Sequence, residues 1–227
     1  MPNNKDHKTG HRERLKARFR KGGVAALADY ELLELQLMTA IPRRDVKPLA
    51  KDLIKEFGSY AEVISAAPER LSQVDGIGEN VITTLKLAEA SAQKLAEGTV
   101  MKKTVLNNWQ ALINYCSAQL AYKSKEQFRV LFLDRQNRLI TDEKMQEGTI
   151  DHTPVYPREI IKRALELSST AIILVHNHPS GDPTPSREDI EMTKQIQDAG
   201  KQLGVMLHDH LIISKGGHSS FKTMDLI

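Results

Sequence analysis

Two histidines, a serine and an aspartate stand at fixed intervals in the segment HNHPSGDPTPSRED, residues 176–189. His176 and His178 are two residues apart and follow the apolar run AIILV, so on an extended strand end both side chains point the same way. A proline-rich loop follows, after which Ser186 and Asp189 begin a predicted helix. Two imidazoles and one carboxylate supply three ligands to zinc and leave a fourth position for water, which is the arrangement of a catalytic zinc site.

Ser186 and Asp189 also allow a purely structural interpretation. Ser-x-x-Asp at the start of a helix resembles a capping box, in which the two residues satisfy each other's backbone N–H groups. If the stiff loop carries Asp189 back over the two histidines, the same carboxylate completes a metal site. On the sequence alone both interpretations stay open.

Apolar strands alternate with helices around this segment. We predict strands at 128–133, 171–175 and 205–213, and helices at 108–121, 157–168 and 187–203. This alternation predicts an α/β domain over residues 101–227. The segment 24–97 has helical spacing of its apolar residues and no period-two strand, so we predict a separate, all-helical domain over residues 1–100.

The pattern His-x-His-x7-Ser-x-x-Asp, placed between a strand and a helix, resembles the metal-binding motif of the JAMM (MPN+) metalloproteases. The run PREIIKRALELSSTAIILVHNHPSG and the later DHLII resemble the RadC-type (UPF0758) branch of that family. The resemblance implies an α/β (α+β) JAMM/MPN-like domain in which His176, His178 and Asp189 bind zinc. It also implies that Ser186 helps to bind the water and the developing oxyanion. The implied reaction is the hydrolysis of a peptide or isopeptide amide in an unknown protein substrate.

The same family uses a glutamate on an earlier element as the general base. Glu126, two residues before the strand FRVLFLD, is the best match in this chain. Glu147, in QEGTI, and Glu159, in PREII, are weaker alternatives. A carboxylate beside zinc-activated water accepts its proton and passes it to the leaving amine, which is why the chemistry needs this residue type. The structural alternative for Glu126 is a solvated residue beside the neighbouring lysines.

The tripeptide His208-Asp209-His210 is a second group of potential ligands. Asp209 and His210 match a DH pair of the RadC-type proteins, whereas His208 replaces a residue that is usually aliphatic there. We prefer an outer or structural role for these residues to a second metal site, since ligating histidines need hydrogen-bond partners of their own.

The N-terminal domain carries two features that suggest contact with DNA. Residues 1–21 hold eight Lys and Arg against two carboxylates, a formal charge of +6, which could contact phosphates or could form a solvated tail. The segment around Gly76 and Gly78 resembles the hairpin of a helix-hairpin-helix module, which offers N–H groups to a phosphate. Glu79 stands where such hairpins often have a cation, so we predict weak, non-specific DNA binding.

Composition limits the remaining classes of function. The chain has 227 residues, 40% apolar and 27% charged, with one cysteine (Cys116) and 5% aromatic residues. One cysteine excludes an internal disulfide framework and a Cys-rich zinc site. No apolar run approaches the ~20 residues that span a bilayer, and the polar N-terminus is no secretory signal, so we expect a cytoplasmic protein. The preferred hypothesis is a zinc-dependent hydrolase. The alternatives are a DNA-associated repair factor with a structural metal and a metal-binding scaffold without turnover.

Overall fold

The structure, a computed structural model, describes residues 4–101, 104–148 and 156–227, with side chains from residue 10 onward. The chain divides into two compact units, Met1–Ser91 and Ala92–Ile227. Within the described ranges, no helix has the length and the apolar character needed to cross a lipid bilayer.

The first unit is helical, as the spacing of its apolar residues predicts. Leu33 and Leu37 of one helix pack with Leu53 of the next and with Leu85 in a single buried core. The helices are α1 (Asn4–Gly22), α2 (Asp29–Ala40), α3 (Lys47–Phe57), α4 (Tyr60–Ser65), α5 (Pro68–Leu71) and α6 (Glu79–Val100), whose last turns belong to the second unit.

The basic N-terminal segment is not the solvated tail that its charge allowed. From residue 4 onward it forms helix α1, and Leu15 is only 1% exposed because it packs into the core of the first unit. The Arg12 guanidinium donates hydrogen bonds to the carbonyls of Ile41 and Pro42, and Arg18 donates to Glu31. Part of the positive charge therefore serves the fold. The net charge of the segment did not reveal this role, because it depends on the burial of Leu15 and on the carbonyls that Arg12 binds.

The second unit is built on a sheet that has five strands in the described residues, in the order β2-β1-β3-β4-β5. Only β3 and β4 are parallel, and the other neighbouring pairs are antiparallel, so the sheet is mixed and the domain is α+β. The elements are α7 (Trp109–Leu120), β1 (Glu126–Leu133), β2 (Leu139–Gly148), α8 (Pro157–Glu166), β3 (Ala171–Asn177), α9 (Arg187–Gln202), β4 (Met206–Ser214) and β5 (Gly217–Ser220).

Alternation along β3 assigns its side chains to the two faces of the sheet. Ile173 and Val175 pack with the apolar side chains of α7, on what we call the α7 face. Ile172 and Leu174 pack with α8 and α9, on the α8/α9 face. The same alternation puts His176 on the α8/α9 face. Both faces are covered, which explains why this strand is apolar throughout rather than alternating.

The three predicted strands and three predicted helices of this unit are confirmed within about two residues at most ends. β2 and β5 were not predicted. β2, with the sequence LITDEKMQEG, is an edge strand of largely polar residues, and β5 is short and begins at a glycine. Edge strands of this kind lack the apolar run that identifies a buried strand.

Candidate metal centre

The carboxyl end of β3 and the first turn of α9 bring three potential ligands together. His176 Nε2 lies 3.0 Å from His178 Nε2 and 3.3 Å from Asp189 Oδ1, and His178 Nε2 lies 3.5 Å from Asp189 Oδ2. One ligand atom from each residue lies within 4.8 Å of the other two. His176 is fully buried, whereas the side chain of His178 keeps 18% of its exposure, so the cluster opens to solvent on the His178 side. These three side chains could hold a metal ion.

Ser186 orients the carboxylate of this cluster. It is the N-cap of α9, and its Oγ accepts a hydrogen bond from the Asp189 N–H at 3.1 Å. In return, the backbone N–H and the hydroxyl of Ser186 both donate to Asp189 Oδ2, at 2.8 and 2.6 Å. The capping box is therefore present, and it holds the same carboxylate that faces the histidines. The capping interpretation of Ser186 and Asp189 is therefore confirmed and is compatible with a metal-ligand role of Asp189, which stays a prediction.

Each histidine of the cluster makes a hydrogen bond through its other ring nitrogen. His178 Nδ1 lies 2.9 Å from the backbone carbonyl of Asp182, which can only accept, so Nδ1 carries a proton and Nε2 is the ring nitrogen that is available to Asp189 or, when unprotonated, to a metal. His176 Nδ1 lies 2.8 Å from His210 Nε2. In each ring, Nε2 is therefore the nitrogen that faces Asp189.

The carboxylate and the imidazoles of the cluster stabilise each other's charged forms. Burial alone would raise the pKa of Asp189, but hydrogen bonds with His176 and His178 outweigh it and hold that pKa well below its usual range. The hydrogen bond with Asp189 raises the pKa of His178 against the effect of burial. Burial lowers the pKa of His210 well below its ordinary value, which keeps that ring neutral.

The three glutamates proposed as general base lie in different places. Phe128 pairs with His176 across β1 and β3, so Glu126, two residues earlier, falls on the same face of the sheet at the level of His178. In agreement with this position, the charge of Glu126 contributes to the raised pKa of His178. Glu147 binds Lys144 and Gln127 beyond β1, and the exposed Glu159 pairs with Arg158 on α8. Strand register brings Glu126 to the cluster, and its role as the base stays a prediction.

Comparison with known families agrees with this architecture. Residues 106–226 match the family described as RadC-like JAB domain, and residues 7–83 match the family described as UPF0758 N-terminal. A UPF0758 protein of Rhodobacter capsulatus is 57% identical over 213 residues, which cover 94% of this chain and all of that protein. The chain belongs to the UPF0758 family. The RadC-type resemblance inferred from the sequence is thereby confirmed, and the JAB domain contains the whole His–His–Asp cluster.

In the JAB domain, a β-bulge in β4 determines on which face of the sheet His208 and His210 lie. Along β3 and β4, Ile172 pairs with Leu207 and Ile173 with Asp209, so His208 is an extra residue in β4. Leu207 consequently shares the α8/α9 face with His210, which contacts His176. Regular alternation would have put His208 and His210 on one face instead.

The three residues of the HDH tripeptide have separate structural roles. His208 Nε2 donates to Asn137 Oδ1 at 2.6 Å. Asp209 is buried and accepts hydrogen bonds from the Lys222 N–H and the Ser220 hydroxyl, which secures β5 and the C-terminal turn. In the parts of the chain that the structure describes, the His–His–Asp cluster is the only group of three or more potential metal-ligand side chains.

Several residues that support the cluster were not predicted from the sequence. Phe128 stacks on His176 with ring centroids 6.2 Å apart, and Phe221 stacks on His210 at 4.5 Å, so each imidazole packs against a phenyl ring. Thr193 lies one helical turn after Asp189 on the buried side of α9, and its hydroxyl is 2.6 Å from His210 Nδ1. The i, i+4 spacing from Asp189 is a signal that could have identified Thr193.

Proposed function

We propose that the JAB domain is a zinc-dependent amide hydrolase that acts on a peptide or isopeptide bond of a protein. The observation that carries this proposal is the spacing of the three ligand atoms. A tetrahedron with zinc–ligand bonds of 2.0–2.1 Å has edges of about 3.3–3.4 Å. The 3.0 Å between His176 Nε2 and His178 Nε2 and the 3.3 Å between His176 Nε2 and Asp189 Oδ1 are close to those edges, whereas the 3.5 Å contact of His178 Nε2 is with the other carboxylate oxygen, Oδ2. One ligand atom from each of the three residues lies within 4.8 Å of the other two. The donor set of two imidazoles and one carboxylate also fits zinc.

The residues of the chain have distinct roles in the proposed reaction. Zinc, when bound, lowers the pKa of a water ligand and acts as a Lewis acid. Glu126, on the same face of the sheet as the histidines, accepts the proton of the attacking water and transfers it to the leaving nitrogen. Ser186, whose hydroxyl proton is donated to Asp189 Oδ2 in this structure, would turn that single proton to the oxyanion that develops on the substrate carbonyl.

The shape of the cluster supports a catalytic rather than a structural metal. Structural zinc sites are usually closed by four protein ligands, whereas catalytic sites keep one position for water or substrate. Three ligands converge here, and the partial exposure of His178 leaves that side accessible to a substrate. This argument favours turnover over a metal-binding scaffold.

The test is amide hydrolysis by the zinc-loaded full chain. The protein is incubated with peptide and isopeptide libraries, and newly formed amines are labelled and counted. Glu126→Gln should retain zinc and lose at least about 10²-fold in rate, since an amide cannot accept the proton. Glu147→Gln is the matched control and should keep the wild-type rate. Release of no amines by the zinc-loaded wild type would refute the proposed function.

DNA association through the N-terminal domain is a second candidate function. A cavity of about 520 Å³ lies beside the hairpin, lined by Arg44, Gly76, Gly78 and the start of α6. Gly76 has a positive φ, and its lack of a Cβ leaves room for the Arg44 guanidinium, which donates to its carbonyl. A cation beside a helix N-terminus suits a phosphate, whereas the exposed Glu79 opposes one. We therefore propose weak binding without base preference.

A further inference from the structure

Asn177, between the two histidines of the cluster, makes three hydrogen bonds across the sheet. Its side chain is on the α7 face, opposite to His176, and the residue is 1% exposed. Asn177 Oδ1 accepts from the Gln127 N–H at 2.9 Å. Its Nδ2 donates to the carbonyls of Lys125 at 3.2 Å and Lys123 at 3.4 Å.

The partners of Asn177 require an amide at this position. The Gln127 N–H can only donate, and the two lysine carbonyls can only accept, so the orientation of the amide is determined. A carboxylate of the same size would accept from Gln127 but would repel both carbonyls. An apolar side chain would leave all three backbone groups without this partner in a buried place.

The three bonded groups lie on both sides of Glu126, at positions 123, 125 and 127. Asn177 thus joins the backbone around Glu126 to the strand that carries His176 and His178. We propose that Asn177 is a positioning residue, which fixes the backbone around Glu126 and so the position of its carboxylate relative to His176 and His178. This inference rests on the proposed function, since it takes Glu126 as the general base.

The geometry also explains why the residue between the two histidines is polar. Alternation sends the side chains of His176 and His178 to the α8/α9 face and that of Asn177 to the α7 face. One three-residue stretch therefore contributes two metal ligands on one side of the sheet and the anchor of the base on the other. A displacement of about 1 Å of a reacting group is enough to lower a catalytic rate strongly.

The experiment compares Asn177→Ala and Asn177→Asp with Ile173→Ala in the zinc-loaded full chain. Ile173 is buried on the same face of β3 but has an apolar side chain, so its variant reports loss of stability alone. Zinc content, amide hydrogen exchange of residues 123–127 and, where hydrolysis is measured, kcat and KM are determined for each variant. Each single substitution is also combined with Glu126→Gln.

Both Asn177 variants should retain zinc and lose about 10-fold or more in kcat with KM unchanged. Asn177→Ala should accelerate exchange of the Gln127 amide about 10-fold without a similar change elsewhere in the sheet. In the Glu126→Gln background, Asn177→Ala should cause no further loss, because the two residues act as one unit. In Ile173→Ala, amide exchange at Gln127 should instead change as much as it does elsewhere in the sheet. This substitution should also change kcat by the same factor in the wild-type and the Glu126→Gln backgrounds.

The two proposals fail in different ways. If the wild type hydrolyses amides and Asn177→Ala keeps the full kcat, the positioning role is wrong and the hydrolase proposal stands. The same follows if Asn177→Ala lowers kcat equally in the wild-type and the Glu126→Gln backgrounds. Absence of hydrolysis by the wild type would overturn the hydrolase and with it the role of Glu126. Unchanged exchange at Gln127 in Asn177→Ala would overturn the anchor itself, whatever the activity.

Discussion

His176 Nδ1 lies 2.8 Å from His210 Nε2, and this contact is one step of a chain of hydrogen bonds that returns to another ligand residue. The Thr193 hydroxyl donates to the backbone carbonyl of Asp189, which can only accept, and therefore accepts from His210 Nδ1–H. The neutral His210 then accepts from His176 Nδ1–H. In its neutral form, His176 is then left with a lone pair on Nε2, the tautomer that can bind a metal.

The first prediction concerns Thr193. Thr193→Val keeps the shape of the side chain but removes the hydroxyl that sets the tautomer of His210, so zinc affinity should fall by about 10-fold or more. Competition with a chromophoric chelator measures this affinity. Thr193→Ser, which retains the hydroxyl, should bind zinc like the wild type. Equal zinc affinities of Thr193→Val and the wild type would refute the hydrogen-bond chain from Thr193 through His210 to His176.

The second prediction concerns the ligands. His178→Ala should lower zinc content well below one equivalent per chain, because two protein ligands hold zinc far less tightly than three. Metal analysis after dialysis measures the content. His208→Ala is the matched control, since His208 binds Asn137 and takes no part in the cluster. Full zinc retention in His178→Ala would show that the His–His–Asp cluster does not bind the zinc.

The third prediction concerns acid stability of the N-terminal domain. The hydrogen bond from Arg18 lowers the pKa of Glu31 below its ordinary value of 4.5. A carboxyl whose pKa is depressed by folding stabilises the protein above pH 4.5, and this stabilisation is lost as the pH falls. Glu31→Gln should therefore be less stable than the wild type at pH 7, by less than about 1 kcal/mol because Arg18 is half-exposed.

Urea unfolding of the full chain at several pH values measures this difference. The gap between Glu31→Gln and the wild type should narrow below about pH 4.5. Glu13→Gln, which removes only an exposed i, i+3 pair with Lys16, should match the wild type throughout. A gap that widens on acidification would contradict the assignment.

The fourth prediction concerns DNA. Deletion of residues 1–21 is not a clean test, since it removes the buried Leu15. Replacement of the exposed Arg14, Arg20 and Lys21 by Ala should instead abolish most binding of the full chain to duplex DNA. Wild-type affinity should fall steeply between about 50 and 200 mM salt, because counterion release follows the number of phosphates contacted. Fluorescence anisotropy with duplexes of different sequence measures both effects.

Replacement of Arg158, Lys162 and Arg187 by Ala removes as much charge from the JAB domain and should leave DNA binding nearly unchanged. Tight, salt-resistant or sequence-selective binding would favour the DNA-associated factor over the hydrolase. Metal-dependent DNA cleavage that disappears in His178→Ala would do the same.

Local patterns explain how much of this architecture could be predicted. The apolar runs at 128–133 and 171–175 are buried strands, and the His-x-His pair at the end of the second run is on one face. The capping box of Ser186 and Asp189 depends only on residues three apart. The family resemblance rests on this segment, on the run that precedes it and on the later DHLII, all of which are visible in the sequence.

Strand periodicity and helix capping are properties of neighbouring residues, and the sequence by itself therefore determined the candidate ligand residues and the elements that carry them. The tertiary structure alone decided which residues support that set. The bulge at His208 turns His210 toward His176, and the register of β1 against β3 puts Glu126, rather than Glu147, on the face of the histidines. Register and bulges depend on packing between segments far apart in the chain, which the spacing within one segment does not encode.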